Sequence, residues 1–278
     1  MIQNSLTTSA ASLMAIEAVT VLPGATPFKE EVAGNFNDTF RGQVLTRGGE
    51  TRFAIIKDLY SKELANELLV AVIGRALGLA MPDSYLGLAE ADVLTLTKGP
   101  QMAGGRLVFV SCDVGFPNLF TKLNNKIFQK AALRKIVEIL CKNNLSALYE
   151  FDTWSANIDR HPGNLLLGGD GKIWLIDHGW CFTGPTWEAA DLAPSEAYPN
   201  KLDLWVAPNL SDEEIATVSA SVGILSEQLR ALDLPRAAEL SFARSLLSSG
   251  DLNALLQFLV DRLDATPRIT ANSLGRLI

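Results

Sequence analysis

The sequence predicts an α+β protein in which a small antiparallel β lobe carrying one helix precedes a mostly helical C-terminal lobe. Short β-rich runs separated by Pro-Gly, Asn-Asp and Gly-Gly turns fill the first part of the chain. After Pro117 the apolar residues fall at helical spacing, and one polar hairpin near Gly169 interrupts the helices. With 278 residues, 48% of them hydrophobic, the chain can bury a real core.

Residues 1–13 are rich in Ser, Thr and Ala without an apolar period, and are expected to form a loose terminus. Residues 14–112 are read as the β-rich lobe. Within it, IEAVTVL, RGQVLT and TRFAII alternate in the manner of an antiparallel meander, with turns at Pro23-Gly24, Asn37-Asp38 and Gly48-Gly49. Ser61 is expected to cap a helix whose Leu64, Leu68, Val72 and Leu77 share a face and which stops at Gly78. Strands are expected at 85–88, 93–97 and 106–111. The seam between lobes falls between residues 111 and 117, and residues 113–278 form the helical lobe. There, Leu133, Ile136, Val137 and Leu140 make one stripe, a second helix starts near Leu145, and LLLG and KIWLID form a hairpin around Gly168-Gly169-Asp170-Gly171. The later runs SDEEIATV, SEQLRALDL, PRAAELSFARSLL and LNALLQFLVDRL read as further helices.

A formal charge of -7 and a pI near 5.0 argue against a broad nucleic-acid surface. Cys112, Cys141 and Cys181 stand far apart with no CxxC spacing, which points to a reducing compartment and away from structural zinc. The N-terminal stretch lacks the basic start of a secretory signal, and no run of about 18 apolar residues is present. The expectation is a soluble, cytoplasmic protein with no membrane partner.

Chemistry concentrates in residues 157–179, NIDRHPGNLLLGGDGKIWLIDHG. Asp159 and Asn164 lie on one loop, and Asp177 follows the second strand of a hairpin that can fold it back beside them. Magnesium takes oxygen ligands and is held by one or two protein groups plus phosphate oxygens and water. Asn164 and Asp177 suit that role, and Asp159 suits the orientation of a hydroxyl nucleophile. Both histidines of the chain, His161 and His178, fall in the same stretch. A zinc site built on them lacks a cysteine or i,i+4 partner, and His161 is read as a loop-orienting hydrogen bonder. The bland alternative makes Asp159 and Asn164 caps of an ordinary turn. Trp154, Trp174, Trp180 and Trp187 crowd this region and are read as core packing.

Asp159-Arg160-His161-Pro162-Gly163-Asn164 followed by Ile176-Asp177-His178-Gly179 resembles the catalytic loop and metal-binding motif of HipA-like kinases, within the protein-kinase-like and phosphatidylinositol-kinase-like superfamily. The resemblance spans roughly residues 14–190. It implies a two-lobed kinase-like fold, with ATP and Mg2+ bound in the cleft between lobes and a hydroxyl acceptor. It implies that Lys57, closing the strand FAII, reaches the phosphates and pairs with Glu67 of LANELL, with Glu63 as the fallback. It further implies a phosphate-covering turn in AGNFNDTFRG, with backbone amides of Thr39 to Arg41 as a cradle and Gly34 and Gly42 supplying freedom. The crossing segment, Ser111 to Asp113, would offer an adenine edge. In this reading Asp159 is the base, Asn164 and Asp177 hold the metal, and Arg160 and His161 brace the loop. A protein Ser or Thr is the implied acceptor; the substrate itself is unknown. The competing functions are a nucleotide-binding pseudokinase, a nucleotidyl transferase, and a non-enzymatic interaction module of a bacterial or phage system.

Overall fold

The computed structural model describes residues 12–28, 38–123 and 129–275. The first strands are β1 (Glu17–Val21), β2 (Thr26–Pro27), β3 (Asp38–Leu45) and β4 (Thr51–Asp58), followed by helix α1 (Ser61–Ala76). Then come β5 (Ser84–Glu90), β6 (Gln101–Met102) and β7 (Gly105–Cys112). The strands run in the order β1-β5-β7-β4-β3, and β1 pairs again with β3, so five strands close into a ring. Closure removes the exposed edges that a small sheet would otherwise present.

Side chains alternate faces along a strand, and this parity builds two separate environments. Ala54, Ile56 and Asp58 of β4 are buried, while Ile55 and Lys57 between them face the other way. Val19, Val21, Val44, Val108 and Val110 complete the inner cluster with Ile56. Phe109 of β7 pairs across from Lys57 and, on the outer face, joins the main core around α1. Gly87 faces the interior because a Cβ there would lie 2.6 Å from Val110 and 2.7 Å from Val108.

The arrangement departs from a simple meander at one point. β1 lies parallel to β5, with Ala18 beside Leu86, since no tight turn joins these two strands and a helix intervenes. Residues 93–97 are not a strand. Val93, Leu94 and Leu96 instead pack onto the inner cluster as a plug, and the amides of Thr97, Lys98 and Gly99 donate to the buried Asp58 carboxylate at 2.7 to 3.0 Å. Ser61 is not the cap of α1 either: Tyr60 occupies that position without a side-chain bond, and the Ser61 hydroxyl donates to the Leu246 carbonyl at 2.7 Å.

α1 is buried from Glu63 to Gly74 and packs against both the sheet and the helical part. β7 ends at Cys112, and the helical part opens with α2 (Leu119–Leu123), α3 (Gln129–Lys142) and α4 (Leu145–Trp154). The hairpin of β8 (Leu165–Leu167) and β9 (Ile173–Leu175) follows. The remaining helices are α5 (Leu202–Trp205), α6 (Asp212–Ala220), α7 (Ile224–Arg230), α8 (Leu234–Leu240), α9 (Ala243–Leu246), α10 (Ser249–Arg262) and α11 (Thr266–Ser273). α4 is buried along its whole length; Trp154 donates to the Leu259 carbonyl, and Glu150 accepts from the Ser226 amide and hydroxyl. The protein is thus mixed α+β, with a small sheet-built part ahead of a helical part. Among the described residues, no helix is long and apolar enough to cross a membrane.

Asp58 satisfies three amides at the end of the strand ring, and a charged acceptor is worth more than a neutral one. Asp58→Ala is expected to lower the unfolding free energy by about 3 kcal/mol in urea denaturation. An unchanged midpoint would show that the plug does not depend on this carboxylate.

Candidate functional site

A cleft of about 410 Å³ lies between the outer face of the sheet and the β8–β9 hairpin, within the size range of small-molecule sites. Lys57, Glu67, Asp159, Asn164 and Asp177 all line it. Lys57 arrives there by strand parity, because its neighbours Ile56 and Asp58 turn inward. Glu67 arrives from the sheet-facing side of α1, and its carboxylate is 1% exposed.

Glu67 binds in two directions. Its Oε1 accepts from Lys57 Nζ at 2.9 Å, and its Oε2 accepts from the backbone amide of His178 at 2.9 Å. Lys57 Nζ lies 3.0 Å from Asp177 Oδ1, so one ammonium is shared by two carboxylates from different elements. Burial alone pulls the Lys57 pKa down, but Asp177 and Glu67 outweigh it and hold it above the usual lysine value. Burial likewise pushes Glu67 up, and Lys57, with help from His178, overrides this and holds the carboxyl below its ordinary range.

The loop after α4 is fixed by a buried arginine. Arg160 is fully buried and its Nε donates to Asp152 at 2.9 Å. Its Nη1 donates to the carbonyls of Asn164 at 3.1 Å and Ile176 at 2.8 Å. A single guanidinium therefore sets the spacing between the backbone at Asn164 and the backbone just before Asp177. Asn164 Nδ2 donates to the Asp159 carbonyl at 2.8 Å, which leaves its oxygen as an acceptor. Asp177 has φ of 59°, a left-handed conformation that side chains other than Gly, Asn and Asp adopt at a cost. Residues held in such conformations cluster at functional sites.

His161 accepts from the Gly163 amide through Nδ1 at 3.0 Å, and its Nε2 lies 3.7 Å from Asp159 Oδ2. Burial lowers its pKa against the pull of Asp159, and the bond accepted at Nδ1 braces the loop. Burial also lowers the His178 pKa, although Glu67 opposes the shift. Asn66 beside Glu67 donates to the carbonyls of Gly179 at 2.8 Å and Cys181 at 3.1 Å and accepts from Trp187 Nε1 at 3.1 Å. This pins the chain after Asp177 to α1.

Several predicted residues sit elsewhere than expected. Lys57 pairs with Glu67, so the fallback Glu63 is not needed; Glu63 instead packs under Gly179, whose added Cβ would lie 2.8 Å from Glu63 Cγ. Thr39 to Arg41 lie inside β3, bordered by β4 on one edge and β2 on the other, and do not form a turn that cradles phosphate. Thr39, Ser111 and Asp113 line the cleft, but Arg41 and Gly42 do not. Arg41 makes a 2.6 Å ion pair with Asp113. Gly42 is required by packing, since a Cβ there would come within 2.7 Å of Ala25 Cβ. The tip of the expected phosphate-covering turn, including Gly34, lies outside the described residues. Trp154 and Trp187 are buried in the core as expected, whereas Trp180 lines the cleft.

Lys201 also lines the cleft, with its ammonium on Asp159 Oδ1. Sequence reasoning passed over it because 42 positions separate the two. A signal was present: Lys201 is the one cation between Lys172 and Arg230, in a stretch rich in acids.

Searched against models of protein families and against curated proteins, the chain matches none.

Glu67→Gln is expected to cost about 3 kcal/mol at neutral pH, because it leaves a buried ammonium short of one carboxylate. The folded Glu67 carboxyl titrates below its ordinary value, so its contribution is complete above about 4.5 and is lost as pH falls toward about 2. The stability gap between wild type and Glu67→Gln, measured by denaturant titration at several pH values, should therefore narrow across that window. A gap independent of pH there would contradict the assignment.

Proposed function

We propose that this chain is an ATP-dependent phosphotransferase of the HipA-like kinase type, with a two-lobed kinase-like fold and a protein Ser or Thr hydroxyl as acceptor. The observation that carries the reading is the shared ammonium: Lys57 lies between Glu67 and Asp177 in one cleft that also holds Asp159 and Asn164. Turn capping alone gives no reason for a buried lysine to be held by two carboxylates from separate elements.

The donor set fits Mg2+ with a nucleotide phosphate. Asn164 and Asp177 offer hard oxygen donors on backbone positions tied together by Arg160. Among the described residues, no group of three or more His, Cys, Asp and Glu gathers as a closed metal cage. Magnesium suits such a sparse pair because it completes its shell with phosphate oxygens and water. When bound, it would neutralise charge on the phosphates.

The residues of the chain divide the remaining work. Lys57, already protonated and fixed by Glu67, binds phosphate oxygens and gives them a positioned charge. Asp159, in hydrogen-bond reach of the cleft, orients the acceptor hydroxyl and takes its proton. Arg160 and His161 hold the loop so that Asp159 and Asn164 keep their spacing. Ser111 and Asp113, at the end of β7, line the cleft and would meet the base of the nucleotide.

Calorimetry with ATP, with and without Mg2+, tests this. Wild type is expected to bind in a magnesium-dependent way, and Asp177→Ala to bind at least about tenfold more weakly. Asp159→Ala is expected to keep binding while turnover of γ-labelled ATP falls by about 10² to 10⁴. Binding that ignores both magnesium and Asp177 would overturn the proposal.

A further inference from the structure

Lys201 brings a second ammonium into the cleft. Lys201 sits on Asp159 Oδ1, and the Asp159 side chain that it meets is 20% exposed. The position is built into the fold. Lys201 is the N-cap residue of the short helix α5, and the neighbouring Asn200 is 7% exposed, with its Oδ1 accepting from the Leu202 amide at 3.0 Å. Leu202 is fully buried. On the other side of the same turn, Trp205 Nε1 donates to the carbonyl of Arg160 at 3.1 Å, the residue next to Asp159. The helix turn is thus docked on the loop it serves, and the ammonium reaches the carboxylate from a fixed root.

The arrangement poses a chemical problem with one economical answer. An acceptor hydroxyl needs hydrogen-bond access to a carboxylate oxygen of Asp159. Oδ1 already carries Lys201, and the other oxygen faces Asn164 Nδ2 at 3.4 Å and His161 Nε2 at 3.7 Å. A lysine ammonium has three donors on a flexible stem, so it can keep contact with the carboxylate while turning another N–H toward a phosphate oxygen. The transferring phosphoryl group carries its charge on the oxygens that such a donor would meet.

We propose that Lys201 is a catalytic residue that bridges Asp159 and the terminal phosphate of the bound nucleotide; this rests on the phosphotransferase reading above. During transfer the acceptor O–H bond breaks and its proton passes to Asp159. The acceptor oxygen forms a bond to the terminal phosphorus, and the bond from that phosphorus to the bridging oxygen breaks, with its electron pair leaving on the diphosphate. Lys201 keeps its protons throughout and supplies charge to the moving group. Lys57 holds the phosphates from the opposite wall, so the two ammonium groups divide the polyphosphate between them, with Lys201 on its terminal end.

This division gives an equilibrium test that needs no acceptor. Binding of Mg2+ with ADP, and of Mg2+ with the β,γ-imido analogue of ATP, is measured by calorimetry on wild type, Lys201→Ala and Lys201→Arg. Lys201→Ala is expected to weaken the triphosphate analogue about tenfold while leaving ADP within about twofold. Lys201→Arg, which keeps the charge, should recover most of the loss, and thermal midpoints should agree because the Lys201 side chain is 41% exposed. Equal loss of both nucleotides in Lys201→Ala, or loss of neither, overturns the role of Lys201 alone. Wild type that binds neither nucleotide overturns the phosphotransferase reading itself.

Discussion

The buried carboxylate of Glu67 is the contact on which the rest of the site depends. It holds Lys57 of the strand ring through one oxygen and the backbone of His178 through the other. An ion placed this deep is stable only if its partners are complete, and here an ion on α1 takes its partners from β4 and from the segment after β9. Folding of the helical part is therefore coupled to the position of a lysine in the sheet. Asn66, one residue earlier, repeats the link with carbonyls of Gly179 and Cys181. Two adjacent polar residues in the buried middle of this helix join the two parts across the cleft.

The strand ring supplies the other half of the geometry. Closure of five strands gives every inner position the same parity, and that parity turns Lys57 and Phe109 to the cleft while Ile56 and Val110 fill the interior. Asp58, the next residue, points inward and ties down the loop that plugs the ring. A one-residue slip in β4 would put the ammonium in an apolar interior and the plug's acceptor in the cleft. Register here is held by electrostatics as well as by packing.

Local features were legible in the sequence. The hairpin, the loop from Asp159 to Asn164 and the convergence of Asp177 follow from turn chemistry and strand alternation over a short span. The Lys57–Glu67 contact needed only one strand, one turn and one helix. What depended on distant pairing was not legible. The parallel contact of β1 with β5 has no turn to announce it, and residues 93–97 alternate like a strand yet serve as a plug, tied down where Asp58 accepts from the amides of Thr97, Lys98 and Gly99. Thr39 to Arg41 carried no mark that β2 would cover their second edge. Gly42 gave the appearance of a flexible phosphate loop, although its lack of a side chain answers to Ala25. Lys201 was hidden by its sequence distance from Asp159, while its isolation among acidic residues was the one hint.

Lys57, Asn164 and Asp177 line one cleft, and the proposed phosphotransferase reading has Lys57 and Asp177 meet a bound polyphosphate from either wall, with Asn164 beside its metal. The most direct measurement is a crystal structure of the protein grown with Mg2+ and the β,γ-imido analogue of ATP. The expected result is phosphate oxygens within hydrogen-bond reach of Lys57 Nζ and a single metal coordinated by Asn164 and Asp177. Nucleotide density at another surface, or a metal held without Asp177, would contradict it.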